Sequence, residues 1–271
     1  VLKDSIYSHH KKGGYNTKVA EDLYIIDSYK DSIYEMIRLS NLVNKKEYRY
    51  SDLGFYYFYK IIEDYTGANF QDYVDSCFYQ PLGATHTGFL PLGRFAKSEI
   101  VPTENDLIFR KQLLQGYVHD PGAAMLGGVC GHAGVFSTAN DLAKIMQMYL
   151  NGGEYGGLNY FKPETIELFT TSPFLDKDNR RALGFDKPQM DYSKEGPTYK
   201  GISGKSFGHS GFTGTLAWAD PDEKIVFIFL SNRIHPDQDN SKLIQTDVRT
   251  NIQKAIYEAI IESYTKQDTL Q

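Results

Sequence analysis

The sequence is poor in cysteine and has no metal-binding spacing. Its 271 residues include two cysteines, Cys77 and Cys130, which form no C-x-x-C pair and have no histidine cluster beside them. This excludes the usual structural zinc motifs and gives no disulfide framework. We interpret both cysteines as small buried hydrophobic residues, and we expect no metal ion and no cofactor.

Long apolar runs and basic blocks are also lacking. No stretch approaches the roughly 18 apolar residues that a membrane span needs. Lys and Arg number 29 against 34 Asp and Glu, the formal net charge is -5, and no cationic block could follow a phosphate backbone. We therefore expect neither a membrane span nor a nucleic-acid partner.

The amino terminus lacks an initiator methionine and a signal-peptide pattern, because the chain begins with Val1, Leu2 and Lys3. We expect a chain that is truncated at its amino terminus.

The composition, with 41% hydrophobic and 14% aromatic residues, can bury a core. We predict one partial domain over residues 1–271. It comprises a loop-rich lead-in (1–47), a mostly helical subdomain (48–200), and a sheet hairpin with a carboxy-terminal helix (201–271). The first part of the lead-in is polar, rich in tyrosine and punctuated by glycine, which indicates a surface loop with regular structure beginning near Ser32.

Helix signals follow the lead-in. Apolar positions within residues 53–65 predict a helix that ends at Gly67, and Asn69 is placed to cap the next helix. Thr138, with Asp141 three residues later, is a capping signature ahead of another apolar stripe.

The last third of the chain predicts a hairpin and a helix. Residues 215–219 and 225–230 are strand-like, and turn-forming residues separate them. Apolar residues then recur every four positions and predict a carboxy-terminal helix with one face on the sheet: Ile244, Val248, Ile252, Ile256 and Ile260. Helices first and strands later favour an α+β arrangement over repeated βαβ units.

Three segments hold candidate functional residues, and the first is Tyr50-Ser51-Asp52. A catalytic phenol is one interpretation of Tyr50. In a chain with 21 tyrosines, packing or capping is the simpler interpretation of the local pattern.

The second and third segments are rich in glycine. Residues 207–215 surround His209 and Ser210 with glycines at a strand, which allows a ligand to approach the backbone closely, although a histidine in such a turn can equally be structural. Residues 127–134 contain His132 and lead into a capped helix. Because they lack a G-K-[ST] ending, they are not a phosphate loop.

The order of these segments resembles the β-lactamase-like serine hydrolases, which include class C β-lactamases, penicillin-binding carboxypeptidases and related esterases. The matching runs include Tyr50-Ser51-Asp52, Pro81-Leu82-Gly83, Gly131-His132-Ala133-Gly134, Gly208-His209-Ser210-Gly211 and Ser231-Asn232-Arg233. The resemblance implies a β-lactamase/transpeptidase-like α+β fold, with an antiparallel sheet flanked by helices and a helical subdomain. Residues 116–121 and 206–209 look closest to modules fused behind family-3 glycoside hydrolases in proteins named β-N-acetylglucosaminidases.

The resemblance also implies roles for individual residues. In this family S-x-x-K, Y-x-N and K-T-G motifs meet in one cleft. Tyr50 would take the proton of the nucleophilic serine and return it to the leaving group. Asp52 replaces the usual asparagine and can accept but not donate a hydrogen bond. His209 replaces the usual lysine, and a titratable imidazole binds a carboxylate more weakly near neutral pH. The implied substrate contacts are Ser210, Gly211 and Thr213.

The nucleophile motif has two formal matches, at residues 8–11 and 263–266. Ser8 lies in a polar stretch with no apolar face for a buried helix, and Ser263 lies in the frayed carboxy-terminal tail, so we interpret both as lookalikes. We expect a missing amino-terminal segment or a dimer mate to supply the nucleophile, and the chain alone to be inactive in acyl transfer.

The resemblance therefore implies a serine acyl hydrolase of the β-lactamase, D-Ala-D-Ala carboxypeptidase or esterase type. Its substrate would be a small molecule or peptidoglycan-like, in an extracytoplasmic location. The exchanges at Asp52 and His209 favour an esterase or peptidase over an efficient penicillinase. They also leave open a catalytically silent recognition module beside a β-N-acetylglucosaminidase. The scattered acidic residues give no paired-carboxylate pattern for glycosidase chemistry in this chain.

Overall fold

A computed structural model describes residue 3 and residues 5–43, 48–177 and 179–268, with side chains through residue 263. The chain divides into two compact units. The first contains residues 1–81, 85–137 and 234–238, and the second contains residues 82–84, 138–233 and 239–271. The boundaries expected at residues 47 and 200 do not coincide with these units, and the grouping of the whole chain as one domain stays a prediction.

The first unit combines short strands and helices. Its strands are β1 (Tyr7–Ser8), β2 (Thr17–Ala20), β3 (Leu23–Ile25), β4 (Pro102–Asp106) and β5 (Gln112–Gln115). Its helices are α1 (Tyr29–Arg38), α2 (Phe55–Thr66), α3 (Phe70–Val74) and α4 (Pro121–Met125), and α3 continues into a π-helical turn at Asp75–Tyr79. The antiparallel sheet has the order β1-β3-β2, and β4 pairs with β5.

The expectation of a surface loop before Ser32 is wrong. Val19, Ala20, Leu23 and Ile25 of β2 and β3 are buried and belong to the core of this unit. These strands are only four and three residues long. The alternation of apolar and polar residues that reveals a strand therefore never extends far enough to stand out from its polar surroundings.

The predicted helices of the first unit are confirmed. The last residue of α2 is Thr66, and Gly67 follows as its C-cap. Gly67 has φ 69°, which is the left-handed conformation that glycine adopts most easily. The Asn69 side chain accepts hydrogen bonds from the backbone N–H groups of Gln71 and Asp72 at the start of α3. Cys130 is buried as expected, whereas Cys77 is exposed and the interpretation of it as a buried residue is wrong.

The second unit contains the larger sheet. Its strands are β6 (Glu154–Tyr155), β7 (Leu158–Asn159), β8 (Phe207–Ser210), β9 (Leu216–Asp220) and β10 (Ile225–Phe229). Its helices are α5 (Ala139–Leu150), α6 (Pro163–Thr170), α7 (Lys242–Gln245) and α8 (Val248–Asp268). The antiparallel sheet has the order β10-β9-β8, which confirms the predicted hairpin. The Thr138 side chain accepts from the Asp141 backbone N–H at 3.3 Å and caps α5 as predicted.

Each face of this sheet is covered by a helix. On one face, Met146 of α5 is buried with Phe207 and Ala219. On the other, Tyr257 of α8 is buried with Trp218 and neighbouring apolar residues. The two clusters hold β8 and β9 between α5 and α8.

Strand β10 has the composition of a strand that is covered on both faces. Three of its side chains pack against the Trp218 cluster and two pack against the Phe207 cluster. Within the described part of the chain, β9 is the one strand that pairs with β10. An apolar pattern on both faces is typical of interior strands, so β10 is an edge strand with the character of an interior one.

The carboxy-terminal helix is confirmed, but its predicted apolar face is wrong. Among the α8 side chains that the structure describes, through residue 263, those of Gln253 and Tyr257 are buried, whereas Ile252 is exposed. Ile244 lies in the separate helix α7. An α-helix has 3.6 residues per turn, so a strict repeat of four drifts by about 40° around the helix at each step. The repeat therefore cannot stay on the face that meets the sheet.

The fold class is α+β, as predicted, because each unit combines helices with antiparallel sheets throughout the described strands. In the same ranges, no helix has both the length and the apolar character to cross a membrane.

Candidate functional site

The Tyr50-Ser51-Asp52 segment leads directly into α2. Tyr50 is 55% exposed, so its phenol is accessible to a reactant. The Ser51 side chain accepts a hydrogen bond from the Leu53 backbone N–H at 3.2 Å, and the Asp52 carbonyl accepts from the Phe55 N–H at 2.9 Å. These bonds form a local turn just before α2, which begins at Phe55.

His209 lies in β8, opposite Ala217 of β9. Its Nε2 atom is 2.9 Å from Nη1 of Arg181, and its Nδ1 atom is 2.7 Å from the carbonyl oxygen of Ser210. A guanidinium carries donors only, so Nε2 accepts from Arg181 and Nδ1–H donates to the carbonyl. The guanidinium of Arg181 therefore places a permanent positive charge beside the imidazole.

Arg181 is itself held in place by Asp186, a buried residue whose Oδ1 atom is 3.3 Å from the arginine Nε. The backbone of Asp186 forms an isolated antiparallel bridge with Gly208 of β8. The chain from Arg181 to Asp186 therefore lies beside the strand that carries His209. A guanidinium thus lies beside the histidine that replaces the usual lysine. The weaker carboxylate binding expected of that exchange stays a prediction.

Arg181 was not predicted as a neighbour of His209, because the two residues are 28 positions apart in the chain. The adjacent arginines at positions 180 and 181 were the available signal. Nothing in a local pattern says which strand such a pair will meet.

The implied substrate-binding residues form the tight turn between β8 and β9. Gly211 donates its backbone N–H to the Thr215 carbonyl at 2.9 Å, and a Cβ atom on Gly211 would overlap the Thr215 hydroxyl. The Thr213 carbonyl accepts from the backbone N–H of Arg233 at 3.0 Å. Glycine is therefore required at position 211, and the turn leaves Ser210 half-buried at the end of its strand.

The predicted residues are divided between the two units. Tyr50 and Asp52 lie in the first unit, and His209 lies in the second with the Ser210–Thr213 turn. The structure brings Arg181 and Asp186 to His209 within the second unit. Within the first unit, Tyr50 and Asp52 lie just before the start of α2.

Neither S-x-x-K lookalike has the setting of a nucleophile. Ser8 lies in β1, is buried, and donates its hydroxyl to the His10 carbonyl at 2.7 Å. Ser263 lies within α8 and donates to the Ile260 carbonyl one turn earlier. A serine at the start of a buried helix is the arrangement that the motif requires, and neither serine has it.

Comparison with curated proteins identifies relatives. A protein from Escherichia coli (strain K12) that is provisionally named a D-alanyl-D-alanine carboxypeptidase is 36% identical over 257 residues, which cover 87% of this chain and 58% of that protein. A protein of the same name from Salmonella gallinarum (strain 287/91 / NCTC 13346) is 36% identical over 244 residues, which cover 84% and 55%. The chain thus spans little more than half the length of these relatives.

Solved structures show the same fold. A β-lactamase from Mycobacterium bovis has a TM-score of 0.51 at 20% identity, with 81% of this chain and 65% of that chain covered. A variant of simvastatin synthase from Aspergillus terreus has a TM-score of 0.53 at 20% identity, with 84% and 61% covered. These likenesses confirm the predicted β-lactamase/transpeptidase-like fold. Residues 13–250 match the β-lactamase family, and the chain belongs to that family.

Proposed function

We propose that this chain forms the tyrosine- and histidine-bearing part of a serine peptidase that removes a terminal residue from peptides ending in a free carboxylate, such as D-alanyl peptides. The nucleophilic serine comes from polypeptide outside these 271 residues, either a segment of the same protein or a dimer mate. The proposal extends to an extracytoplasmic location, where peptidoglycan peptides are found.

One observation carries the choice of substrate: the contact between Arg181 and His209. A guanidinium stays charged across the physiological pH range and forms paired hydrogen bonds with a carboxylate. It is 2.9 Å from the histidine that occupies the motif position. Arg181 therefore offers the permanent cation that a terminal carboxylate requires, and a neutral ester would gain nothing from it.

Tyr50 would carry the proton transfers of the reaction. The serine oxygen attacks the carbonyl carbon of the terminal amide while its proton passes to the phenolate oxygen of Tyr50. As the C–N bond breaks, that proton passes to the departing nitrogen, and water then hydrolyses the acyl-serine by the same route. Nearby cations lower the pKa of a phenol from its usual value of about 10 and favour this role. Asp52 is suited to hold such a cation, because a carboxylate only accepts hydrogen bonds.

The open edge of β10 supports a contribution from further polypeptide. A strand whose two faces are both covered is typical of the interior of a sheet, where another strand pairs with each of its edges. The curated relatives have the additional length, since the alignment covers 58% of the Escherichia coli protein. Both observations favour a nucleophile segment that packs against this chain.

Covalent labelling tests the proposal. The chain alone, and a form extended to the full length of the relatives, are treated with a fluorescent penicillin and with a fluorophosphonate. We expect no labelling of the chain alone and labelling of the extended form at one serine outside the 271 residues. Labelling at Ser8 or any other serine within the chain would contradict the assignment of the nucleophile.

A catalytically silent module is the second candidate. The acceptor-only side chain of Asp52 favours it, because the usual asparagine amide at this position could also donate to a substrate carbonyl. Such a module would recognise peptidoglycan-like ligands, for instance beside a β-N-acetylglucosaminidase domain. An extended form that carries no label at any serine would support this candidate and reject the peptidase.

Changing Arg181 to glutamine tests the substrate class. In the extended protein, we expect KM for a peptide ending in D-alanine to rise about 10- to 100-fold, because a charged hydrogen bond contributes about 1.5–3 kcal/mol. KM for the same peptide with a terminal amide should stay within about twofold. The steady-state measurement includes Arg180→Gln as a matched control, since Arg180 also binds Asp186, at 3.0 Å. Equal losses on both peptides would exclude Arg181 as the carboxylate-binding residue.

A further inference from the structure

The glycine-rich loop around His132 is not used by the proposed reaction, yet its histidine forms an ion pair with Asp120, in which the imidazole is the buried partner. Nε2 of His132 is 2.7 Å from Oδ1 of Asp120, and the histidine side chain is 3% exposed. The same Asp120 oxygen accepts the backbone N–H of Ala123 at 2.7 Å, which caps α4. Asp120 therefore joins the start of α4 to the loop that carries His132.

The imidazole of His132 also stacks on α2. Its ring lies 4.1 Å from the ring of Tyr56, with an angle of 14° between the two planes. Two glycines permit this approach. A Cβ atom on Gly122 would overlap the Tyr56 hydroxyl, and a Cβ atom on Gly131 would overlap the backbone carbonyl of Phe55. The loop and α4 thus touch the first turn of α2 directly.

That first turn is continuous with the Tyr50-Ser51-Asp52 segment. The Asp52 carbonyl accepts the Phe55 N–H at 2.9 Å, so the segment and the turn share a hydrogen bond. Burial raises the pKa of the Tyr56 phenol, and the charges of Asp120, Cys130 and Asp52 contribute to this rise. We therefore expect a displacement of Tyr56 to move the residues just before α2.

The electrostatic surroundings keep His132 charged. Burial by itself would lower the pKa of the imidazole, but the hydrogen bond to Asp120 and the neighbouring Cys130 thiol raise it to about 9. Burial would raise the pKa of Asp120, but the hydrogen bond to His132, the Ala123 N–H and the charge of His119 lower it. An imidazolium and a carboxylate therefore meet at neutral pH. The titratable groups that face the imidazole are Asp120, Cys130 and Tyr56. Those partners are influenced in turn by His119, which acts on Asp120, and by Asp52, which acts on Tyr56.

We infer that His132 is a positioning residue: bonded to Asp120 and stacked on Tyr56, it fixes the first turn of α2 and through it the place of Tyr50. The role of Tyr50 in this inference rests on the proposed function. The placement of residues 50–55 does not, and it is measured without any enzymatic assay.

Nuclear magnetic resonance of the unmodified 271-residue chain gives the first test. The imidazole signals of His132 are followed from pH 6 to 10.5 together with the backbone amide signals of residues 50–55. We expect the amides to shift with the midpoint of the imidazole, near the pKa of about 9. In Asp120→Asn both midpoints should move down together, since the partner that favours the charged form is removed. Amide signals that titrate without this midpoint would overturn the inference.

Two substitutions separate positioning from general stability. His132→Leu should speed hydrogen exchange of the amides of residues 52–58 at least about tenfold while leaving those of β9 and β10 unchanged, because the latter belong to a separate unit. His132→Gln should restore most of the protection, since its amide can still donate to Asp120. The matched control is His86→Gln, an exposed histidine stacked on Phe95, which should leave these amides unaffected.

Exchange that rises equally in both units, or that stays unchanged in His132→Leu, would overturn the inference. If His132→Leu does not fold, the pH titration of the unmodified chain decides alone. If no serine of the extended protein is labelled, the proposed peptidase activity is rejected. The results of the pH titration and of the hydrogen exchange are independent of that outcome.

Discussion

Replacing Tyr50 with phenylalanine should lower the rate of acylation of the extended protein by about 10²- to 10⁴-fold, the range that a positioned general base contributes. Phenylalanine keeps the ring and removes the oxygen that would accept the serine proton. Because Tyr50 is 55% exposed, loss of its hydroxyl removes little packing. The large effect should therefore fall on chemistry, with the unfolding free energy changed by less than about 0.5 kcal/mol.

The rate of labelling by the fluorescent penicillin measures this effect in single-turnover experiments. Tyr48→Phe is the matched control, since Tyr48 is also half-exposed and lies two residues away. We expect the control to react within about twofold of the unmodified protein. If Tyr50→Phe reacts as fast as Tyr48→Phe, Tyr50 does not act as the base and another group must be sought.

The second large effect concerns stability, and it lies at Arg110. Its side chain is 0% exposed and reaches Asp106 at 2.8 Å and Glu104 at 3.3 Å. It also donates to the backbone carbonyls of Val118 and His119 at 2.6 and 2.7 Å. Arg110→Met would leave the two buried carboxylates without their cation. We expect a loss of about 3–5 kcal/mol in the free energy of unfolding.

Urea unfolding monitored by circular dichroism measures this loss. The control is Lys60→Met, which removes an exposed partner of Asp64 at 2.9 Å and should change the free energy by less than about 1 kcal/mol. Adding Glu104→Gln to Arg110→Met should recover part of the loss, because one of the unpaired charges is then removed. An equal change in Arg110→Met and Lys60→Met would show that the buried cluster contributes no more than a surface pair.

Local signals in the sequence were sufficient for several elements. Gly67, Asn69 and Thr138 mark helix ends through backbone geometry and side-chain caps, and both depend only on residues within one turn. The hairpin of β9 and β10 has its own turn composition. These elements were predicted because the information that specifies them lies next to them in the chain.

Other features depend on residues far apart and could not be predicted in this way. Arg181 meets His209 across 28 residues, and His132 meets Asp120 across 12. The face of α8 that meets the sheet is set by contacts of Tyr257, a residue outside the apolar repeat. Such pairings follow from the path of the chain, which local periodicity does not contain.

The candidate site also combines features that neighbouring residues indicate with features that depend on distant residues. On local evidence Tyr50 was one tyrosine among 21, and only the order of the motifs along the chain distinguished it. The cation beside the histidine motif was not predicted, because it is a guanidinium from another segment of the chain. Motif order thus indicated the candidate site, whereas the charge beside it had to be read from three-dimensional contacts.

The open edge of β10 has a consequence for how the chain behaves in a cell or a test tube. Among the described strands β10 pairs with β9 alone, so its five consecutive apolar residues form a template that another extended chain of similar composition can join. We expect the 271-residue chain to self-associate as its concentration rises and to recruit chaperones when it is produced alone. If further polypeptide pairs with this edge, as proposed above, producing the two together should lower self-association and raise the yield of monomeric protein.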